Sequence, residues 1–229
     1  MGAIFAAQIL SFFLAVASQA KDPEELLTTY LSDLEKAIKN TSAKNAPDRT
    51  KLEQAAKLAF DRDLAGSTPN VPKPIWDYLN KHLDNLRLGD KKFPEESWKA
   101  ERTLWINACK AVFSKETRNA KEPETPPTTE QLFESTFDAI REVDKMFPLA
   151  QDLRTDGAAS ARAIFGLLLP KSTPTTKDAK LLYTERIARI DKTFPTSNDK
   201  DKTVNSDSCQ LLKTVAKSLF DRDLAGAKK

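Results

Sequence analysis

The chain is poor in the residues on which many enzyme classes depend. Its 229 residues include one histidine (His82), two cysteines and six glycines. A single histidine excludes metal sites built from several histidines, and no GxGxxG or GxxxxGK[ST] sequence is present to hold a nucleotide phosphate. Two cysteines are too few for a small disulfide-stabilised scaffold. These shortages disfavour nucleotide-binding folds and histidine-based catalysis, so we expect neither a cofactor nor a metal.

The charges are nearly balanced, with 36 Lys and Arg against 33 Asp and Glu and a formal net charge of +3. This balance excludes a strongly basic nucleic-acid binder. Hydrophobic residues make up 40% of the chain, which is enough to build a core and too many for wholesale disorder. No HExxH, GxSxG or EF-hand sequence occurs. We therefore predict that the protein is not an enzyme, since catalysis would have to rely on carboxylates or tyrosine alone.

The first 20 residues are typical of a secretory signal peptide. They contain no charged side chain, and the apolar stretch from Ile4 to Ala17 is interrupted only by Gln8 and Ser11. Small residues precede the polar chain that follows Ala20, as a signal peptidase requires. We expect cleavage after Ala20, secretion, and no membrane span in the mature chain. The alternative is a retained membrane anchor, although a spanning helix needs about 20 predominantly apolar residues.

Secretion changes how the two cysteines are interpreted. In an oxidising compartment a disulfide between Cys109 and Cys209 is the default expectation. The alternative is two buried thiols, each within the apolar face of its own helix. Asn40 begins the sequence Asn-Thr-Ser, which makes it a glycosylation site in a eukaryotic host.

Three motifs recur in the same order along the chain and indicate tandem duplication. The first is a small residue, a basic residue, any residue, an apolar residue and phenylalanine, and successive phenylalanines are 53, 52 and 55 residues apart. The second is Asp-Lys-x-Phe-Pro, and the third is a Thr-Pro pair. The first motif ends at Phe60, Phe113, Phe165 and Phe220; the second begins at Asp90, Asp144 and Asp191; the third begins at Thr68, Thr125 and Thr173. A period of about 53 residues predicts a helical-repeat protein.

Apolar residues at three- and four-residue intervals predict an all-α fold. We expect about eight helices arranged as four tandem hairpins, forming a compact bundle or a short curved α-solenoid. The predicted helices span residues 24–39, 49–65, 73–89, 96–116, 129–146, 156–169, 177–192 and 206–225. After the signal peptide at 1–20, residues 21–229 are expected to form one domain with repeats at about 21–67, 68–121, 122–171 and 172–229.

The segment Phe-Asp-Arg-Asp-Leu-Ala-Gly occurs twice without a change, at Phe60–Gly66 and at Phe220–Gly226. The apolar residues and the glycine are explained by core contacts and a helix end, but the charged residues are not. We take these charged residues as candidate partner-binding residues, since one partner could recognise both copies. They are Asp61, Arg62, Asp63, Asp221, Arg222 and Asp223. The alternative is a copied segment whose charges solvate a helix end; a metal site is disfavoured because the two carboxylates diverge.

Three aromatic residues are candidates for lining an apolar cavity: Trp98, Trp105 and Phe113. Helical bundles can hold a lipid or a small apolar ligand between their helices, but core packing explains the same residues. His82 lies in an ordinary amphipathic stretch, and we interpret it as a helix-surface residue rather than the partner of a catalytic cysteine.

These observations favour a secreted, non-enzymatic helical-repeat protein that acts by binding. The expected partner is another protein outside the producing cell, as for an effector or a surface antigen. The alternative function is carriage of a lipid or small apolar ligand in the helical core.

Overall fold

The computed structural model describes residues 21–40, 46–94, 98–195 and 202–227; for residues 40, 46 and 202–206 it describes the backbone alone. The described residues form eight α-helices, a short 3-10 helix at Leu169–Lys171, and no strand, which confirms the all-α prediction. The helices are α1 (Pro23–Asn40), α2 (Ala46–Gly66), α3 (Ile75–Lys92), α4 (Lys99–Thr117), α5 (Thr129–Met146), α6 (Gln151–Leu168), α7 (Ala179–Thr193) and α8 (Lys202–Gly226). In chain order they form four consecutive pairs.

The contacts within the chain divide it into two compact units. The first unit comprises Met1–Pro72 and Ser114–Asn119, and the rest of the chain forms the second unit. In the first unit α1 packs against α2. The ring of Tyr30 stacks on that of Phe60 with centroids 4.7 Å apart. Burial raises the pKa of Tyr30, and the nearby Asp61 raises it further.

In the second unit, the hairpins contact each other in chain order. Helix α3 packs on α6 of the following hairpin, and α5 packs on α8 of the hairpin after that. The connections between hairpins also pair through their backbones. The amide of Lys121 donates to the carbonyl of Lys73 at 2.9 Å, and the amide of Thr129 donates to the carbonyl of Thr173 at 3.0 Å. Within this unit, therefore, the first helix of a hairpin packs on the second helix of the next hairpin.

The Asp-Lys-x-Phe-Pro motif ends the first helix of three hairpins with the same geometry. Phe93, Phe147 and Phe194 have φ angles of −126°, −123° and −121°, and each amide donates to the carbonyl four residues earlier. All three rings are buried. Proline follows each phenylalanine and cannot continue the helix. The repeated geometry shows that the motif is a helix end built from a buried aromatic ring.

Helix starts are set by local capping and, at α6, by an arginine that folds back onto the preceding corner. Thr128 and Gln131 form a reciprocal capping box at the start of α5, and the carboxylate of Asp178 caps α7. Helix α6 begins at Gln151, five residues earlier than predicted. The guanidinium of Arg154 donates to the carbonyls of Phe147 and Pro148, and this contact closes the corner within a few residues.

Candidate functional site

The two copies of Phe-Asp-Arg-Asp-Leu-Ala-Gly end the second helix of the first hairpin and the second helix of the last. One pair of contacts is shared: Lys57 pairs with Asp61 in α2, and Lys217 pairs with Asp221 in α8. Asp61 and Asp221 are exposed in both copies. Ion pairs of this kind, four residues apart on a helix surface, stabilise a helix by only about 0.3–0.5 kcal/mol. The copies differ at the next two residues.

In α8, the carboxylate of Asp223 is buried at the contact between two hairpins. The residue is 2% exposed. Its Oδ1 atom accepts hydrogen bonds from Thr129 Oγ1 at 2.7 Å and from the amide of Thr175 at 3.0 Å. Arg186 Nη1 lies 3.5 Å from Oδ2. Burial lowers the pKa of Arg186, and the charge of Asp223 opposes that shift. Asp223 therefore joins α5, α8 and the connection between the last two hairpins.

Arg222 extends in the other direction and contacts the 3-10 turn that follows α6, the second helix of the preceding hairpin. Its guanidinium donates to the carbonyl of Ser172 at 2.9 Å and to the carbonyl of Pro170 at 3.0 Å. The carbonyls at a helix C-terminus lack partners within the helix and carry partial negative charge, so they favour a cation. Lys115 makes the equivalent contact in the first unit, where its Nζ atom donates to the carbonyls of Leu64 and Ala65.

In α2, the corresponding residues lie in solvent. The side chain of Arg62 is 76% exposed and pairs with Asp63 at 2.7 Å, and the side chain of Asp63 is 42% exposed. The structure therefore assigns the six candidate residues to three environments. Asp61 and Asp221 are surface ion pairs, Arg222 and Asp223 hold two hairpins together, and Arg62 and Asp63 are exposed.

Arg62 and Asp63 continue an exposed surface of α2, which we call the outer face and define as Leu52, Ala55, Leu58, Ala59 and Arg62. Leu52 is 46% exposed and Leu58 is 70% exposed. Counting back from each motif phenylalanine, the positions of Leu52, Ala55 and Ala59 are buried in every later hairpin. Those buried residues are Trp105, Ala108 and Val112 in α4, Gly157, Ser160 and Ile164 in α6, and Leu212, Val215 and Leu219 in α8.

The buried positions show which helices cover this face in a later hairpin. A Cβ atom added at Gly157 would lie 3.0 Å from Leu83 of the preceding hairpin and 3.0 Å from Val143 of its own hairpin. This position thus faces two first helices at once. In α2 the same position carries Leu52, which is about half exposed. Exposed leucines grouped on one helix face indicate an interaction surface more than single exposed leucines do.

The two cysteines are buried thiols that are not bonded to each other. Cys109 lies on the buried face of α4. Cys209 packs at the end of its own hairpin, where its Sγ atom is 3.9 Å from Asp191 Oδ1. The structure gives no support to the predicted disulfide and agrees with the alternative of two core thiols, because both side chains are buried and neither is oxidised.

The aromatic residues proposed to line a cavity are packing residues where the structure describes their contacts. The ring of Trp105 lies against Gly89, and its Nε1–H donates to the carbonyl of Asn85 at 2.8 Å. Phe113 packs against His82 with ring centroids 4.7 Å apart. Trp98 is partly buried just before α4. These contacts favour the core-packing explanation over a ligand cavity.

His82 is buried, and the interpretation of it as a surface residue is wrong. Its Nε2 atom lies 3.0 Å from Asp156 Oδ2, and the two side chains are 1% and 4% exposed. Lys110 pairs with the second oxygen of Asp156 at 2.8 Å. The three residues come from α3, α6 and α4, so they connect two hairpins. No short-range pattern marks them, because the histidine and the aspartate are 74 residues apart.

A cleft of about 660 Å³ lies at the corners that end α3 and α5. Arg102 crosses it and donates to Asp152 at 2.7 Å and to Asp90 at 2.9 Å. Although burial opposes the shift, the hydrogen bonds from Arg102 hold the pKa of Asp152 below its ordinary value. Since Arg102 is paired with both carboxylates, the cleft offers no unpaired charge among these three residues to a ligand.

Several predicted features lie outside the described residues. They are the signal peptide at residues 1–20 and the glycosylation site, because the side chain of Asn40 and all of Thr41 and Ser42 fall outside the description. In the part of the chain that is described, no helix is long and apolar enough to cross a membrane. The same residues contain no cluster of three or more histidine, cysteine, aspartate or glutamate side chains arranged to hold a metal.

Comparison of the chain with models of protein families, with curated proteins and with solved structures found no match.

Proposed function

We propose that this protein is a secreted, non-enzymatic helical-repeat protein that binds another protein through the outer face of α2. One observation carries the proposal: the outer face exposes leucines at and beside positions that every later hairpin buries. An α-helical repeat buries such positions against its neighbour, and a terminal repeat normally covers them with polar residues. Leu52 and Leu58 depart from that pattern.

The chemistry of the outer face specifies what would bind there. Leu52 and Leu58 require an apolar surface, while the small side chains of Ala55 and Ala59 permit a second helix to approach closely. Arg62 lies at one end and requires a carboxylate or a group of backbone carbonyls. A protein surface with an apolar strip and an acceptor at one end meets these requirements better than a small molecule does.

Secretion and the lack of catalytic activity are parts of the proposal that come from the sequence. The uncharged apolar start of the chain supports export to the exterior, where a protein partner would be met. The alternative function, carriage of a lipid or small apolar ligand, is supported by the sequence alone, because Trp105 and Phe113 make packing contacts in the structure.

The proposal is tested by capture with immobilised wild-type chain and two matched variants. Leu58→Asp places a charge on the outer face. Leu167→Asp places the same charge at a leucine that is 50% exposed on α6. Proteins retained from secreted and cell-surface fractions are identified by mass spectrometry. We expect a partner that the wild type and Leu167→Asp retain and Leu58→Asp loses.

The candidate is then purified, and its affinity for the three chains is measured by calorimetry. Loss of about tenfold or more in affinity for Leu58→Asp alone would support the outer face, because this residue would be an interface leucine. Equal binding by all three chains would exclude the outer face as the binding site.

A further inference from the structure

The last two hairpins are joined by two charged residues that follow the motif phenylalanine, Arg222 and Asp223. The residue two positions after it is a cation in three hairpins: Arg62, Lys115 and Arg222. Lys115 donates to the carbonyl of Ala65, and Arg222 donates to the carbonyl of Pro170. In both cases the acceptor lies five residues after the motif phenylalanine of the preceding hairpin. The cation thus closes the C-terminal end of the preceding hairpin's second helix.

The acid that follows makes the second half of the same junction. Asp223 accepts a hydrogen bond from Thr129, which begins the first helix of the preceding hairpin, and another from the amide of Thr175 in its own connection. Arg222 and Asp223 together therefore contact the start of the first helix and the end of the second helix of the preceding hairpin. Identical residues, Arg62 and Asp63, follow the motif phenylalanine of the first hairpin.

In the described part of the chain, no hairpin precedes the first one. Arg62 and Asp63 pair with each other in solvent instead of joining two hairpins. The first hairpin therefore carries the junction-forming residues without forming a junction through them.

The fourth hairpin presents that surface. Helix α8 ends in the sequence Leu-Ala-Gly, as α2 does. In α2, the carbonyls of this leucine and alanine accept hydrogen bonds from Lys115. Ala225 lies five residues after Phe220, as Ala65 does after Phe60. Thr176 lies as far before Phe194 as Thr129 lies before Phe147, but α7 begins only at Ala179, so Thr176 belongs to the connection before that helix; it is exposed and lines a cleft beside the end of α8.

We propose that the outer face of α2 binds the fourth hairpin of a second copy of this chain, in the arrangement that joins the third and fourth hairpins within one copy. Arg62 donates to the carbonyl of Ala225 of the second copy, and Asp63 accepts from the hydroxyl of its Thr176. Leu52 and Ala59 pack on the first helix of that hairpin, α7. The inference rests on the proposed function and names the partner that fits it.

The contact is heterologous, because one copy uses its first hairpin and the other uses its fourth. Each copy keeps one end open after binding, so association continues beyond a dimer as concentration rises. A two-fold symmetric dimer through the outer face would stop at two copies.

Sedimentation velocity of the purified full chain tests this difference. We expect the mean mass to rise beyond that of a dimer between about 1 and 500 µM, which covers an interface with a Kd of about 100 µM. Arg62→Glu is expected to weaken association by about tenfold or more, because it reverses the charge that faces the carbonyls. Arg141→Glu changes an exposed arginine of α5 in a similar ion pair and should leave association unchanged.

Mixing two variants decides the geometry. Thr176→Arg blocks the fourth hairpin, and Arg62→Glu blocks the first, so each variant alone is expected to stay mostly monomeric at concentrations where the wild type associates. An equimolar mixture keeps one intact surface of each kind and should form a one-to-one dimer that grows no further. Circular dichroism confirms that both variants, which change exposed residues, retain the wild-type helix content.

Two results would overturn the inference. The first is a wild-type chain that stays monomeric over the whole concentration range. The second is a wild type that associates while the mixture of variants does not, which would indicate a symmetric contact. If the chain stays monomeric but the Leu58→Asp variant loses a captured protein, the proposed function stands and the second copy is excluded as its partner.

Discussion

The first and last hairpins end in the same seven residues, and the structure uses those residues in opposite ways. In α8, Asp223 is buried and accepts hydrogen bonds from another hairpin, while Arg222 closes the end of the preceding helix. In α2, Arg62 and Asp63 pair with each other in solvent. The energetic role of a charged residue here depends on whether a neighbouring hairpin covers it, since burial removes the solvent that screens the charge.

The comparison also explains why the segment carries charged residues at all. Asp-Arg-Asp is not needed to end a helix, because leucine and glycine suffice for that. In α8, the middle arginine and second aspartate instead join the last hairpin to the one before it. Lys115 at the equivalent place supports this explanation, since it makes the same contact with a different cation.

The largest contrast is expected between Asp223→Ala and Asp63→Ala. The first change leaves Arg186 charged in a site where it is 4% exposed, and it removes the acceptor for Thr129. Breaking a buried ion pair from one side costs about 3–5 kcal/mol. The second change affects an exposed pair and should stay within about 0.5 kcal/mol. Urea unfolding followed by circular dichroism measures both, and equal losses would refute the contrast.

A smaller contrast is expected between Arg222→Ala and Arg62→Ala. Arg222 donates to two carbonyls that belong to the end of the preceding hairpin, and hydrogen bonds from a charged donor contribute about 1.5–3 kcal/mol. Because Arg222 is only partly buried, we expect a loss of about 2 kcal/mol. Arg62→Ala should change the free energy of unfolding by less than about 0.5 kcal/mol. A large loss for Arg62→Ala would mean that the two copies are equivalent.

The last glycines of the two copies should respond with opposite signs. A Cβ atom at Gly226 would lie 2.4 Å from Pro174, whereas nothing lies within 4 Å of a Cβ atom at Gly66. Neither glycine has a positive φ, so alanine is not strained by backbone conformation. We expect Gly226→Ala to cost about 1–2 kcal/mol through overpacking. Gly66→Ala should stabilise by up to about 0.5 kcal/mol because alanine favours a helix. Thermal unfolding distinguishes the signs.

The smallest effect on stability is expected at a second contact between α5 and α8, far along both helices from Asp223. Asp144 of α5 accepts a hydrogen bond from Ser208 of α8, and burial raises the pKa of Asp144. Its folded pKa exceeds its unfolded value, so the folded state binds more protons and stability falls as pH rises through the raised pKa.

Asp144→Asn removes that ionisation and should reduce the fall in stability above pH 4 by about 1 kcal/mol or less. The control is Asp138→Asn on the same helix, whose side chain is 56% exposed and paired with Arg141. Urea unfolding between pH 4 and pH 7 measures both variants. A pH profile of Asp144→Asn that matches the wild type would show that the carboxylate is not penalised by burial.

Much of the fold could be predicted because its signals are local. Apolar spacing located all eight helices, and Asp-Lys-x-Phe-Pro marked the ends of three of them, where Phe93, Phe147 and Phe194 are buried. The start of α6 was missed by five residues, since it depends on Arg154 folding back to the carbonyls of Phe147 and Pro148.

The candidate site was only partly predictable. The repeated segment was found by its identity, and its charged residues were taken as candidates for binding a partner. The structure shows that Arg222 and Asp223 contact other parts of the same chain. From the sequence the two copies could not be distinguished, because identical residues carry no information about which hairpin lies beside them. His82 was misplaced for a related reason: its partner Asp156 comes from another hairpin.

The sequence by itself determined the helices, the hairpin corners and the repeat, since these follow from side-chain periodicity, proline and helix capping within a few residues. Only the tertiary structure decided which charges are buried, that Cys109 and Cys209 are buried thiols, and that the outer face of α2 is exposed. The physical reason is that burial is a property of neighbouring hairpins. Two identical segments therefore differ in energy according to whether the chain supplies a neighbour.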